Sequence, residues 1–271
     1  MKAGPLLLAS VGLAGAAEPP PDKRQYSLFD PVPVELLREL STDRPDMTES
    51  PWTVDAGHFQ VEVDLFAWSH AGATDAVNIL SVNAKVGLTH STDLQLLFEG
   101  WGRERTSGRG AKLTREGFGD ATVRLKHNLW GNDGGPTALA IMPYVTVPLG
   151  AGDLGRDEPE AGVIIPFGWN LPGDLYLGLM TEWDWIGDGA GGHRHAWLNT
   201  VTLGFPVTER VGGFVEFAGA VFTDGAPWEG SVNGGLTWAP TDSLQFDIGC
   251  NVGVSRAAPD VVPFVGVTFR H

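Results

Sequence analysis

Charged residues two positions apart are the main chemistry this chain offers. Glu62 and Asp64, Arg124 and Lys126, and Glu182 and Asp184 form such pairs, and Glu99, Asp120, Glu216, Asp247, Lys85 and Arg270 occur singly in similar alternating stretches. A spacing of two puts both members of a pair on one face of an extended strand. Together these faces hold eight acids and four bases. Charges turned away from bulk water must pair or stay hydrated. Two arrangements meet that demand: a salt-bridge network that fills a narrow lumen, or a watery passage that mildly favours cations.

Catalysis and metal binding find less support. The chain has no G-x-S-x-G motif, and His127 falls on the opposite register with no serine two positions off on a neighbouring site. The stretch "GDGAGGHRH" brings His193 and His195 near Asp188. A metal centre needs three or four convergent ligands, so this stretch reads as a flexible loop. Asp153, Asp157, Glu158 and Glu160 offer a divalent ion a foothold at a lipopolysaccharide surface, with plain solvation as the alternative. No catalytic residue, cofactor or metal is expected. A net charge of −15 with only 18 lysines and arginines argues against nucleic acid as a partner. The single cysteine, Cys250, rules out an internal disulfide.

The elements that must position these charges are strands. In "LQFDIGCNVGVS", Leu244, Phe246, Ile248, Cys250, Val252 and Val254 alternate with polar residues or glycine. "FQVEVDLFAW", "GDATVRLKHNLW" and "DLYLGLMTEWDW" do the same. Twelve such segments lie near 57–69, 77–89, 93–103, 117–130, 136–149, 160–171, 173–186, 195–207, 210–222, 228–239, 243–255 and 261–271. Short connections such as "THSTD" and "LPGD" alternate with usually longer ones such as "GRERTSGRGAKLTRE". That asymmetry is the mark of periplasmic turns and extracellular loops. Strands of about ten residues suit a tilted membrane crossing, whereas sandwich strands run to about 5–6. Trp130, Trp169, Trp183, Trp185, Trp197 and Trp238 sit where interfacial girdles belong. The expected fold is all-β: a transmembrane, antiparallel, up-and-down β-barrel of about 12 strands over residues 57–271.

Ahead of the barrel, "MKAGPLLLASVGLAGAAEPP" has Lys2, an apolar run from Leu6 to Leu13 and small residues at 14–16, so residues 1–17 read as a secretory signal. Residues 18–56 form a proline-rich segment that is periplasmic or partly plugs the barrel. Val34 to Leu40 within it has the spacing of one or two helical turns. Pro45 and Pro51 keep "STDRPDMTESPWTV" out of both helix and ladder. If this peptide enters the lumen, Arg44 is its natural anchor, because a guanidinium grips a carboxylate in two-pronged fashion. With both termini periplasmic, Glu62 is the first choice of partner and Asp120 a weaker one. Otherwise the peptide is a solvated lead-in that serves assembly. Phe66, Trp68, Leu97, Tyr176, Met180, Phe214 and Phe264 fall on or near the inward register, where they would suit a hydrophobic or aromatic solute. A slip of one residue would turn them to lipid.

"STDRPDMTESPWTVDAGHFQVE" resembles the start of a family of outer-membrane transporters named for the meta pathway of phenol degradation. The T-D-R-P-D core, the T-E-S step and the G-x-F-Q-x-E approach to the first strand carry the likeness. "GFGDATVRLKHNL" is similar to the family's G-x-G-D-x-x-x-x-x-K segment, and "ALAIMPYVTVPLG" to its strand ending in P-x-G. The resemblance implies a barrel of the bacterial outer membrane that takes up small solutes passively, aromatic or hydrophobic ones among them. A structural or adhesive barrel without transport, or a barrel hydrolase, is the alternative. The implied partners are the lipid bilayer with its lipopolysaccharide, the barrel-assembly machinery and a small-molecule solute. The last strand, "PFVGVTFRH", resembles the terminal assembly signal of such barrels, though it ends in His271 where an aromatic residue is usual.

Overall fold

Alternation gives each strand two unlike faces, and a sheet of such strands can satisfy its backbone in lipid only by closing. The computed structural model describes residues 22–108 and 112–271. The expected signal at 1–17 lies outside them. Twelve antiparallel strands close into a barrel. They are β1 (Phe59–Ala71), β2 (Thr74–Ile79 and Ser81–Thr89), β3 (Thr92–Phe98 and Trp101–Ser107) and β4 (Lys112–Phe118 and Ala121–Trp130). Next come β5 (Thr137–Val147 and Ala151–Gly152), β6 (Glu160–Leu171), β7 (Leu175–Gly187) and β8 (His193–Pro206). The last four are β9 (Val211–Phe222), β10 (Glu229–Thr241), β11 (Leu244–Gly253) and β12 (Val261–Arg270). Each strand pairs with its neighbour in sequence, and β12 returns to β1 from Gln60–Arg270 to His70–Val261. The all-β barrel expected from the period of two is the fold observed.

The outward face is apolar. Leu125, Ile165, Val201, Val215, Leu236 and Ile248 are all exposed there. Trp130, Trp169 and Trp238 ring its periplasmic end, and Trp183, Trp185 and Trp197 its extracellular end. This is the band and double girdle of a barrel that spans a bilayer.

Four neighbouring strands are interrupted side by side. The breaks fall at Leu80, at Glu99 and Gly100, at Gly119 and Asp120, and between Val147 and Ala151. Gly100 is needed there, because a Cβ would lie 1.9 Å from the Ile79 carbonyl oxygen. Above the breaks, β2 to β5 extend as a ribbon on the extracellular side.

One expectation is narrowed and another is corrected. The helical turn expected within Val34 to Leu40 is a single 3-10 turn, Val34–Leu36, that stops short of Leu40. Leu37 is already extended, and the Arg38 N–H donates to Asp55 Oδ2 at 2.8 Å, which pulls the chain straight. Phe66 and Trp68 face lipid. A register shift in β1 between Asp64 and Phe66 pairs Phe66 with Val265 and Ala67 with the buried, lumen-facing Phe264. One extra residue, Leu65, reverses the inside and the outside of the strand beyond it.

Candidate functional site in the barrel lumen

Residues 41–54 thread the lumen as a bent, irregular peptide without a strand partner, and the chain first bridges the wall at Ala56, opposite Gly87 of β2. A buried backbone must bond somewhere, and here the wall's side chains take that role. The Asp43 N–H donates to Glu62 at 3.1 Å, and those of Met47 and Thr48 donate to Glu216 at 3.0 and 2.8 Å. Thr53 donates to Asn132 and Val54 to Asp93, at 3.1 and 3.0 Å. The Thr48 hydroxyl meets that of Thr200 at 2.6 Å.

Ion pairs add the grip. The buried Asp43 carboxylate sits between Lys126 at 2.6 Å and Lys85 at 2.5 Å, and Lys85 also meets Glu62. Arg44 reaches Asp247 in two-pronged fashion, Nε at 3.2 Å and Nη2 at 2.7 Å, and pairs with Asp64 through Nη1. Its guanidinium also lies 5.9 Å from the Phe264 ring centroid. Gly266 makes room for it, since a Cβ there would lie 2.2 Å from Nη2. Glu49 closes on Arg124 at 2.5 Å. Further out, Arg38 and Lys23 share Asp55 and Asp133. Pairs this deeply buried add little net stability over an apolar filling, but stripping one partner costs about 3–5 kcal/mol. They fix position more than they add stability.

The expected anchor, Arg44, thus lies in the lumen, but its partners are Asp64 and Asp247. Glu62, the expected first choice, instead accepts the Asp43 N–H and pairs with Lys85. Asp120 does not meet the plug at all. Arg156, from the loop between β5 and β6, folds inward and bonds Glu99 at 2.7 Å, Asp120 at 3.1 Å and Glu160 at 2.8 Å. Asp120 also accepts the N–H groups of Gly150 and Arg156. Glu182 and Asp184 stand inward on β7, half-buried, where Asp184 accepts the Tyr144 hydroxyl. Leu97, Tyr176, Met180, Phe214 and Phe264 share the inward face. Met180 packs with Met142 and Ile164 into an apolar cluster inside the barrel.

Sequence reasoning passed over Asp93, Asn132, Arg38 and Arg156. Asp93 alternates with Gln95 on the inward face of β3, so the period of two could have found it. The other three lie outside the regular strands and carry no periodic signal.

The family model described as the MetA-pathway of phenol degradation matches residues 42–271, from within the plug to the last residue. An outer-membrane channel from Pseudomonas putida F1 superposes with a TM-score of 0.61 at 15% identity, covering 85% of this chain and 100% of that one. The NanC porin superposes with a TM-score of 0.54 at 9% identity, covering 78% of this chain and 98% of that one. At such identities these two likenesses speak to the fold alone. No functionally curated protein matches the chain.

Proposed function

The chain belongs to the MetA-pathway of phenol degradation family, and from that premise we propose that it is a channel of the bacterial outer membrane. Small solutes, aromatic or otherwise hydrophobic ones among them, diffuse through it passively, and the peptide at 41–54 sets the free width. The observation that carries this reading is the clamp itself. A wall built only as a scaffold or an adhesin has no need to hold a strandless peptide in its lumen through Glu62, Asp64, Lys85, Arg124, Lys126, Glu216 and Asp247. The chain is read as a channel and not as an enzyme. Its outward band meets lipid and lipopolysaccharide, and its last strand serves the barrel-assembly machinery.

Osmotic swelling of liposomes that hold the purified chain tests this reading, alongside growth of a deletion strain on aromatic carbon sources. Swelling by small solutes, with slower growth of the deletion strain, is expected. Liposomes that stay impermeable with and without the plug would overturn the reading, as would hydrolysis of their phospholipid.

A further inference from the structure

Beside the plug, at the periplasmic end, lies a chamber of about 810 Å³. Its size suits a small organic ligand. Trp52, Tyr176 and Phe214 give it an aromatic side. The Trp52 and Tyr176 rings are 5.7 Å apart and tilted at 48°, and the Trp52 indole N–H is held by the Gly131 carbonyl at 3.0 Å. Gly204, paired between Tyr176 and Phe214, and Gly212 keep this side of the chamber low.

Arg270 lines the same chamber and differs from the cations around it. Lys23, Arg38, Arg44, Lys85, Arg124 and Lys126 each have a carboxylate within ion-pair distance. Among the described residues Arg270 has none. It is 93% buried, its Nη1 and Nη2 donate only to the carbonyls of Arg38 and Asp242, at 2.7 and 3.3 Å, and its Nε has no partner. Each Nη carries a second N–H beyond the bond it makes, and a buried guanidinium with spare donors and no ion-pair partner is a seat for an anion.

We propose that this chamber binds a small monocyclic aromatic carboxylate, with its carboxylate toward Arg270 and its ring toward Trp52 and Tyr176. The acids that line the chamber set this orientation. Asp46 lines the chamber too, and like-charge repulsion turns the ring, not the ligand's carboxylate, toward it. Asp133 is taken by Lys23 and Arg38, and Glu35, Glu39 and Asp174 are exposed at the rim. The inference names a solute class for the channel proposed above and rests on that reading for its role. The binding itself is measured without any transport, so the two fail separately.

The test is calorimetric titration of the full chain in detergent with benzoate, benzyl alcohol and acetate. Benzoate binds saturably, and the other two bind at least about tenfold more weakly, because each lacks one of the two recognition elements. Arg270→Gln weakens benzoate by about tenfold. Gly204→Leu puts a side chain between Tyr176 and Phe214, where the ring sits, and weakens benzoate binding by at least about tenfold. A Cβ at Gly204 finds its nearest atom at 3.4 Å, an ordinary contact, and heat-shifted migration on gels checks that the leucine variant keeps its fold. Benzyl alcohol binding as well as benzoate would overturn the proposal. So would benzoate heats unchanged in the folded Gly204→Leu variant, which would mark partition into the micelle.

Discussion

From β1 to β4 the lumen wall meets the plug with Glu62, Asp64, Lys85, Arg124 and Lys126. From β8 to β10 its periplasmic half presents Thr202, Gly204, Gly212, Phe214 and Thr237, and a chamber stands open beside them. The first wall has charge with partners and no space. The second has space and one inward acid at that level, Glu216 beside Thr202, which accepts the N–H groups of Met47 and Thr48. Among the described residues, the inward positions at membrane level from β5 to β10 carry no lysine or arginine. One barrel thus separates two tasks around its circumference. Specific ion pairs hold the peptide on one side, and small or aromatic side chains leave room on the other.

Breaking the charged side has the largest expected effect. Asp43→Ala strips Lys85 and Lys126 of a shared buried counter-charge, and a loss of about 3–5 kcal/mol is expected in urea unfolding of the vesicle-inserted protein. Stability equal to that of the unaltered chain would mean that the clamp does not hold. On β11 the inside and outside of the wall are compared. Ile248→Arg, facing lipid at mid-strand, costs about 2–4 kcal/mol, while Asn251→Arg, facing the lumen, costs much less. Equal costs would contradict the assigned faces. Arg44→Ala frees Asp64 and Asp247, so single-channel conductance rises in part and cation selectivity increases. A shift toward anions would show that the lumen's acid excess does not govern selectivity. The smallest effect belongs to Arg210→Ala, which removes an exposed pair with Asp242 beyond the lumen. No measurable change in unfolding is expected there, since exposed pairs contribute little.

The barrel was legible because burial on one face enforces the period of two along whole strands. Each of the twelve expected segments overlaps one observed strand. The extracellular ends of β2 to β4 were harder to read. Lys112–Phe118 is exposed on nearly every residue, so neither face imposes alternation, and the strand was expected to begin only near 117. The bulge at Leu65 leaves no mark in the sequence either, which is why Phe66 and Trp68 were placed inward. The plug announced itself through Pro45, Pro51 and its charges. Its partners did not, because they come from distant parts of the chain. Asp43 meets Lys85 and Lys126, which lie 42 and 83 positions away, and Arg44 meets Asp247, which lies 203 away. Only closure of the barrel brings them together.

The central claim is that the peptide held by the charged wall limits the pore. Planar-bilayer recording of a variant lacking residues 41–54, with assembly confirmed by heat-shifted migration, tests it most directly. Larger single-channel conductance than in the full chain, with preference for cations, is the predicted result. Unchanged conductance and selectivity in a correctly assembled barrel would contradict it.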